Sequence, residues 1–238
     1  FLKRIEHIDA LKSKLDESAT KLGEIIKPLL KKGEVLPEDH KKYRFVKSIA
    51  NAPPNVTLSF EKAYKLGSWM VKYGKGGGDA CAIAARIARG ATGKDIILFS
   101  GYHGWHDWYQ SANHLDFPNL VTGVGGMGVP KALAGTAIPF GEFDINRLQN
   151  LFDEHEGEVA AVMMEPVRST DPPEGYLESV KTLCHKNNAI LIFDEVSCGW
   201  RIAIGGAQEY YGITPDMTVV AKCISNGYPM GAVVGKQE

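Results

Sequence analysis

The sequence predicts an α/β fold built on a mostly parallel sheet, and three observations carry that expectation. Apolar runs of strand length recur along the 238 residues, at Asp95-Ile96-Ile97-Leu98-Phe99, Val159-Ala160-Ala161-Val162-Met163-Met164, Ile190-Leu191-Ile192-Phe193 and Met217-Thr218-Val219-Val220-Ala221. Strands covered on both faces read as such near-continuous runs, whereas strands with one wet face alternate. Stretches of helical character separate the runs, which gives the β-α-β alternation of a parallel sheet. Charged residues stand at the carboxyl ends of several runs, Glu165 after Met164, Asp194 and Glu195 after Phe193, and Lys222 after Ala221. Open α/β sheets bind their ligands at that end.

Taken in order, residues 1 to about 32 place Leu2, Ile5, Ile8, Leu11, Leu15, Leu22, Ile25, Ile26 and Leu29 at helical spacing. Lysines and acids mix on the other faces, which suits a helix packed on its own domain or on a partner subunit better than one lying on a membrane. Pro28, Gly33, Pro37, Pro53 and Pro54 then punctuate a loop-rich stretch, and Ser59 is placed to cap a short helix within Leu58–Ala63. These features divide the chain into an N-terminal helical and loop segment, 1–68, and an α/β segment, 69–238.

The α/β character begins at Val71. Lys75-Gly76-Gly77-Gly78-Asp79-Ala80 leads into the Ala-rich helix Cys81–Arg89. Free N–H groups in the first turn of such a helix form an anion site, although a Gly-rich turn alone is better read as a plain loop. The strand at Asp95–Phe99 is followed by Gly101-Tyr102-His103-Gly104-Trp105-His106-Asp107-Trp108. His106 and Asp107 make only a weak metal or relay pair. The glycine-rich stretch 119–136 reads as a mobile loop. Phe140–Asp144 opens a helix through Leu148, Leu151 and Phe152, and a further helix runs from Gly175-Tyr176-Leu177 through Cys184 into the Ile190 strand.

The formal net charge of −1 points to neither nucleic acid nor an anionic membrane. No apolar run is long enough to span a bilayer, and Phe1 begins a charged amphipathic stretch rather than a signal peptide. Cys81, Cys184, Cys198 and Cys223 lack CxxC or disulfide-framework spacing, so buried free thiols in a reducing cytoplasm are expected. No histidine lies near them in sequence at ligand spacing, which argues against a metal.

The chemistry concentrates between Ile190 and Gly235. A lysine among apolar neighbours is a Schiff-base former, because desolvation disfavours its charged form. Paired with an acid at a neighbouring strand end, it suggests pyridoxal phosphate chemistry. Asp194-Glu195-Val196, Gly199-Trp200-Arg201, Gly205-Gly206, Tyr211-Gly212, Pro215-Asp216, Lys222 and Gly227-Tyr228-Pro229-Met230-Gly231-Ala232 follow one another at matching spacing. In these residues the chain resembles the class III (ω-type) pyridoxal-phosphate-dependent aminotransferases, a family that includes glutamate-1-semialdehyde aminomutase.

The resemblance implies the three-layer, fold type I large domain. It implies that Lys222 carries pyridoxal 5'-phosphate as a Schiff base and moves the proton, and that Asp194 pairs with the pyridinium nitrogen. Tyr102 and Val196 would sandwich the ring, Ser197 would donate to the phenolic oxygen, and Gly77 and Gly78 would cradle the phosphate. Gly78 stands where the family has a hydroxyl residue, leaving backbone amides and the helix dipole for that task. His103 would either position Tyr102 or the cofactor, or serve as a structural histidine. Glu165 and Thr170 would lie near substrate, while Arg168 and Ser169 have no family counterpart. The segment that relatives carry before the phosphate loop and the C-terminal small domain have no match here, so a truncated domain is expected. A homodimer is implied for the complete enzyme, with no nucleic acid or membrane partner. Three readings of function follow: transfer of an amino group from an amine or amino acid to a carbonyl acceptor, intramolecular transfer as in the aminomutase, or an inactive fragment of such an enzyme.

Overall fold

A computed structural model describes residues 69–115, 126–225 and 227–236. The predicted N-terminal helix, the Ser59-capped helix and the first part of the 119–136 loop lie outside them.

The described residues build one seven-stranded sheet flanked by helices. The strands are β1 (Trp69–Gly74), β2 (Ile96–Ser100), β3 (Ala137–Pro139), β4 (Val159–Met164), β5 (Ile190–Asp194), β6 (Met217–Val220) and β7 (Gly231–Lys236). Their spatial order is β1-β7-β6-β5-β4-β2-β3. The run from β6 to β3 is parallel, and β7 lies antiparallel to both β6 and β1. Every residue of β4 and β6 is buried, which is why both read as unbroken apolar runs.

Alternation along the strands feeds two cores. Phe99, Met163, Ile192 and Val219 point to one face, where α1 (Gly77–Thr92) packs through Ala80, Ala84 and Ala88. Those alanines repeat every four residues and carry one methyl each, so the helix lies close against the sheet. Leu98, Val162, Leu191 and Phe193 point to the other face and meet Leu148, Leu151 and Phe152 of α3 (Ile145–Glu154) and Val180 of α4 (Tyr176–Lys186). Full burial of each such side chain contributes about 1.5–3 kcal/mol. Helix, sheet and helix make the three layers expected of a mostly parallel α/β domain.

The helix ends are decided locally. Asp144 caps α3 by accepting from the Arg147 N–H at 2.8 Å. α1 ends at Gly93 in the left-handed region, its N–H donating to the Arg89 carbonyl. The amino end of α1 has no side-chain cap. Its first intrahelical bond runs from the Ala80 N–H to the Gly76 carbonyl. The end that stays open borders a cleft at the edge of the sheet.

Two short helices, α2 (Asp107–Gln110) and α5 (Gly206–Tyr211), and the strands β1, β3 and β7 were not expected from the sequence. The two helices and β3 are too short to show a period, and β7 reads as glycine-flanked valines.

Candidate active site

A cleft of about 450 Å³ opens at the carboxyl ends of β2, β5 and β6. β1 also runs in that direction, so its end at Gly74 delivers the Lys75–Gly78 turn and the start of α1 to the same rim. Gly77, Gly78, Tyr102, His103, Asp194, Val196, Ser197 and Lys222 all line the cleft. Four separate stretches of sequence thus meet in one place.

Asp194, the last residue of β5, is buried and held from three sides. Its Oδ2 lies 2.7 Å from His103 Nδ1 and accepts from the Cys81 thiol at 3.3 Å, while Oδ1 accepts from the Val196 N–H at 3.0 Å. The second ring nitrogen of His103 is 3.2 Å from the Ser100 carbonyl, so each nitrogen of this buried ring faces an oxygen. Burial, and then the Asp194 carboxylate beside it, push the Cys81 thiol well above its ordinary value, which keeps the proton on sulfur as the donor to Asp194.

This grouping is one that spacing along the chain does not show. A histidine does lie near a cysteine in space, since one ligand-type atom from each of Cys81, His103 and Asp194 falls within 4.8 Å of the others. Cys81 and His103 are 22 positions apart along the chain, and the sheet brings α1 over the end of β2. The thiol expectation also needs amending, because Cys223 is exposed while the other three cysteines are buried.

Lys222 follows β6 at φ = 51°, a left-handed conformation uncommon outside glycine. Non-glycine residues held this way concentrate at functional sites. Its Nζ donates to Ser197 Oγ at 2.7 Å. The expected desolvation of Lys222 is not met: the side chain is exposed, because it leaves the sheet into the cleft instead of lying among the strands.

Glu195, adjacent to Asp194, takes no part in the cleft. It is buried on the opposite side, where Oε2 accepts from the Ala207 N–H at 2.6 Å and Oε1 from Gln208 Nε2 at 3.2 Å. Burial pushes its carboxyl up to about 7, with those hydrogen bonds acting in the opposite direction.

Glu165 and Thr170 are not brought to the cleft. Glu165 borders a smaller cavity of about 120 Å³ with Gly101, Glu142 and Arg168. Its Oε2 accepts from the Tyr102 N–H at 2.9 Å, so it holds the turn that presents Tyr102. Burial raises its carboxyl above the ordinary range. Thr170 is exposed.

Two residues at the cleft were missed or undervalued by sequence reasoning. Cys81 lies four residues beyond Gly77, one helical turn on, and that spacing alone could have placed it beneath the cleft. His106 lines the cleft beside Gly78, and its Nε2 is 3.1 Å from Asp79 Oδ1. Asp79, rather than Asp107, is its partner.

Residues 67–238 match the family described as Aminotransferase class-III. The chain is 42% identical over 175 residues to the glutamate-1-semialdehyde 2,1-aminomutase of Methanobrevibacter smithii, covering 71% of this chain and 41% of that protein. It is 37% identical over 170 residues to the 3-aminobutyryl-CoA aminotransferase of Cloacimonas acidaminovorans, covering 69% and 38%. The chain therefore spans about two fifths of the length of these curated relatives. Among solved structures, an omega-transaminase from Sphaerobacter thermophilus superposes with a TM-score of 0.63 at 27% identity, over 83% of this chain and 49% of that one. A transaminase with PLP bound gives a TM-score of 0.64 at 23% identity, over 84% and 50%, a likeness of fold. A three-layer α/β domain with a lysine and an acid at neighbouring strand ends is the class that fold and site define. The chain belongs to the class-III aminotransferases, a pyridoxal-phosphate-dependent family.

Proposed function

We propose that this chain is the cofactor-binding part of an enzyme that moves an amino group from an amine or amino acid to a carbonyl acceptor with pyridoxal phosphate. One observation carries the reading: Lys222, Asp194 and the Gly77–Gly78 helix start, distant in sequence, share a single cleft at the ends of parallel strands.

The chemistry of the lining residues fits the cofactor. The open amides at the start of a 16-residue helix suit a phosphate. Tyr102 and Val196 suit the two faces of a flat ring, the carboxylate of Asp194 suits a ring nitrogen that carries a proton, and Lys222 supplies an amine for a carbonyl carbon. When bound, the cofactor supplies an electron-poor ring that stores the amino group and stabilises negative charge on the substrate carbon.

The chain's own residues then have defined tasks. Asp194 keeps the proton on the ring nitrogen, and Cys81 and His103 hold its carboxylate in place. Ser197 orients the Lys222 amine and would donate to the cofactor's phenolic oxygen. Lys222 Nζ would hold the cofactor through its carbonyl carbon and, when freed by an incoming amine, would take the proton from the substrate carbon and deliver it to that cofactor carbon, on the far side of the transferred nitrogen. Glu165 acts from beneath the site through Tyr102.

Identity of 42% to an aminomutase supports a second reading, intramolecular amino transfer, in which no external carbonyl acceptor is consumed. Product analysis with and without an acceptor separates the two. The family's usual assembly supports a homodimer, and free thiols suit a reducing cytoplasm. No helix among the described residues is long and apolar enough to cross a membrane.

The deciding experiment is borohydride reduction of the protein after addition of pyridoxal phosphate, followed by peptide mass spectrometry. A single phosphopyridoxyl group on Lys222, lost in Lys222→Ala, is the expected result. A reducible adduct that survives Lys222→Ala overturns the assignment.

A further inference from the structure

We infer that Cys81 is a positioning residue for the contact between Asp194 and the cofactor ring: its thiol fills one oxygen of the Asp194 carboxylate and leaves the open lone pair on the other oxygen for the ring nitrogen. The inference rests on the proposed reading that Asp194 receives that nitrogen.

The two carboxylate oxygens are served unequally. Oδ2 accepts from the Cys81 thiol at 3.3 Å and lies 2.7 Å from His103 Nδ1. Among the described residues Oδ1 accepts from the Val196 N–H alone, at 3.0 Å. A carboxylate offers about four lone-pair sites, two on each oxygen. With Cys81 in place Oδ2 is full and a single site remains, on Oδ1. Without the thiol both oxygens would hold an open site, and nothing would select between them. Burial keeps the proton on the Cys81 sulfur, so the group acts as a donor and adds no second negative charge beside Asp194.

Packing fixes where the thiol stands. A Cβ built on Gly77 would lie 2.9 Å from Val196 Cγ1 and 3.6 Å from Ala221 Cβ, and one built on Gly231 would meet the Gly76 carbonyl oxygen at 2.5 Å. The start of α1 is therefore seated directly against the residues that follow β5 and β6 and against the first residue of β7. Cys81 comes one turn later on the same helix, and its neighbours Ala80, Ala84 and Ala88 are buried on the sheet. Val196, which α1 touches at Gly77, is also the residue whose N–H serves Oδ1. One helix thus sets the donors of both oxygens, through Val196 on one side and through Cys81 on the other. The Cys81 side chain is only 1% exposed, yet it belongs to the lining of the cleft, directly beside the carboxylate it serves.

The test titrates two ligands into the wild-type chain and into Cys81→Ala: pyridoxal phosphate, and its carbocyclic analogue in which C–H replaces the ring nitrogen. The analogue keeps the aldehyde, the phenolic hydroxyl and the phosphate, so the difference between the two ligands reports the ring-nitrogen contact. Pyridoxal phosphate should bind roughly fivefold more weakly to Cys81→Ala, with the affinity for the analogue unchanged. Unchanged binding of the analogue also shows that the variant is folded. Cys81→Ser, which keeps a donor, should bind pyridoxal phosphate more tightly than Cys81→Ala does. In difference infrared spectra, the S–H stretch that disappears in Cys81→Ala should shift when pyridoxal phosphate is added to the wild type and stay in place with the analogue. Equal weakening for both ligands would make Cys81 a packing residue, and weakening for neither would make its thiol dispensable; either result overturns the inference, as does an S–H band that responds equally to both ligands. Asp194→Asn separates the two levels. If it changes the ratio of the two affinities while Cys81→Ala does not, the role of Cys81 alone fails; if neither variant changes the ratio, the reading of Asp194 fails with it.

Discussion

Asp194 and Glu195 are neighbours of identical charge, and the end of β5 sends them to opposite sides. Side chains alternate across a strand, so one acid opens on the cleft while the other is driven beneath it. Asp194 meets His103, Cys81 and the Val196 amide. Glu195 holds the Ala207 amide and the Gln208 side chain at the start of α5. The motif was legible in the sequence as a pair, and the family resemblance singled out Asp194, but the occupation of Glu195 required the fold. The consequence is testable at Asp194. Asn at this position keeps the shape and removes the charge that retains a proton on the ring nitrogen. Asp194→Asn should still take up the cofactor, while exchange of the substrate α-proton slows by about 10²-fold or more. Stopped-flow absorbance and hydrogen–deuterium exchange of the substrate measure the two quantities separately. An unchanged exchange rate would remove Asp194 from the proposed mechanism.

At the level of elements, the cleft depends on how closely a loop can approach a helix. The Tyr102–His106 loop touches the start of α1 through Gly104 and Gly78, and Gly104 has a φ that side-chain-bearing residues rarely adopt. Gly104→Ala should destabilise the fold by more than about 1 kcal/mol, and it should lower cofactor affinity as the loop shifts. Urea unfolding and cofactor titration report the two effects; native values for both would mean that the contact is dispensable. The sequence marked both glycines within recognisable stretches yet could not show that they meet. The long buried strands were legible because full burial writes a continuous apolar run into them. The short α2 and α5 were not, since fewer than two turns carry no period. β7 escaped for another reason: it is the strand that runs against the sheet, and pairing with β1 and β6 decides it more than its own composition does.

Over the whole molecule, burial of Glu195 couples stability to pH. The carboxyl sits at about 7 in the folded protein because burial raises it from an ordinary 4.5. Below pH 4.5 folded and unfolded chains both hold the proton. Between the two values the folded protein keeps a proton that the unfolded chain has released, so stability falls as pH rises toward 7 and levels off above it. The contribution lost across that window is roughly 3 kcal/mol. Chemical denaturation from pH 4 to 8 should show this decline for the wild type, and Glu195→Gln should flatten it. An equal slope in both proteins would assign the pH dependence to other groups.

The sequence by itself determined the class of fold, the family and the candidates for the residues carrying chemistry. Those properties reside in apolar runs, motif spacing and residue type, each readable along the chain. Only the tertiary structure decided which of these residues share a cleft. It set Asp194 inside and Glu195 beneath, moved Glu165 to a supporting position under Tyr102, left Lys222 exposed, and paired His106 with Asp79 from another element. The physical reason is common to all of them. Contacts between strand ends and loops far apart in sequence are fixed by strand order and by the closeness of glycine backbones, and neither is written in the local pattern.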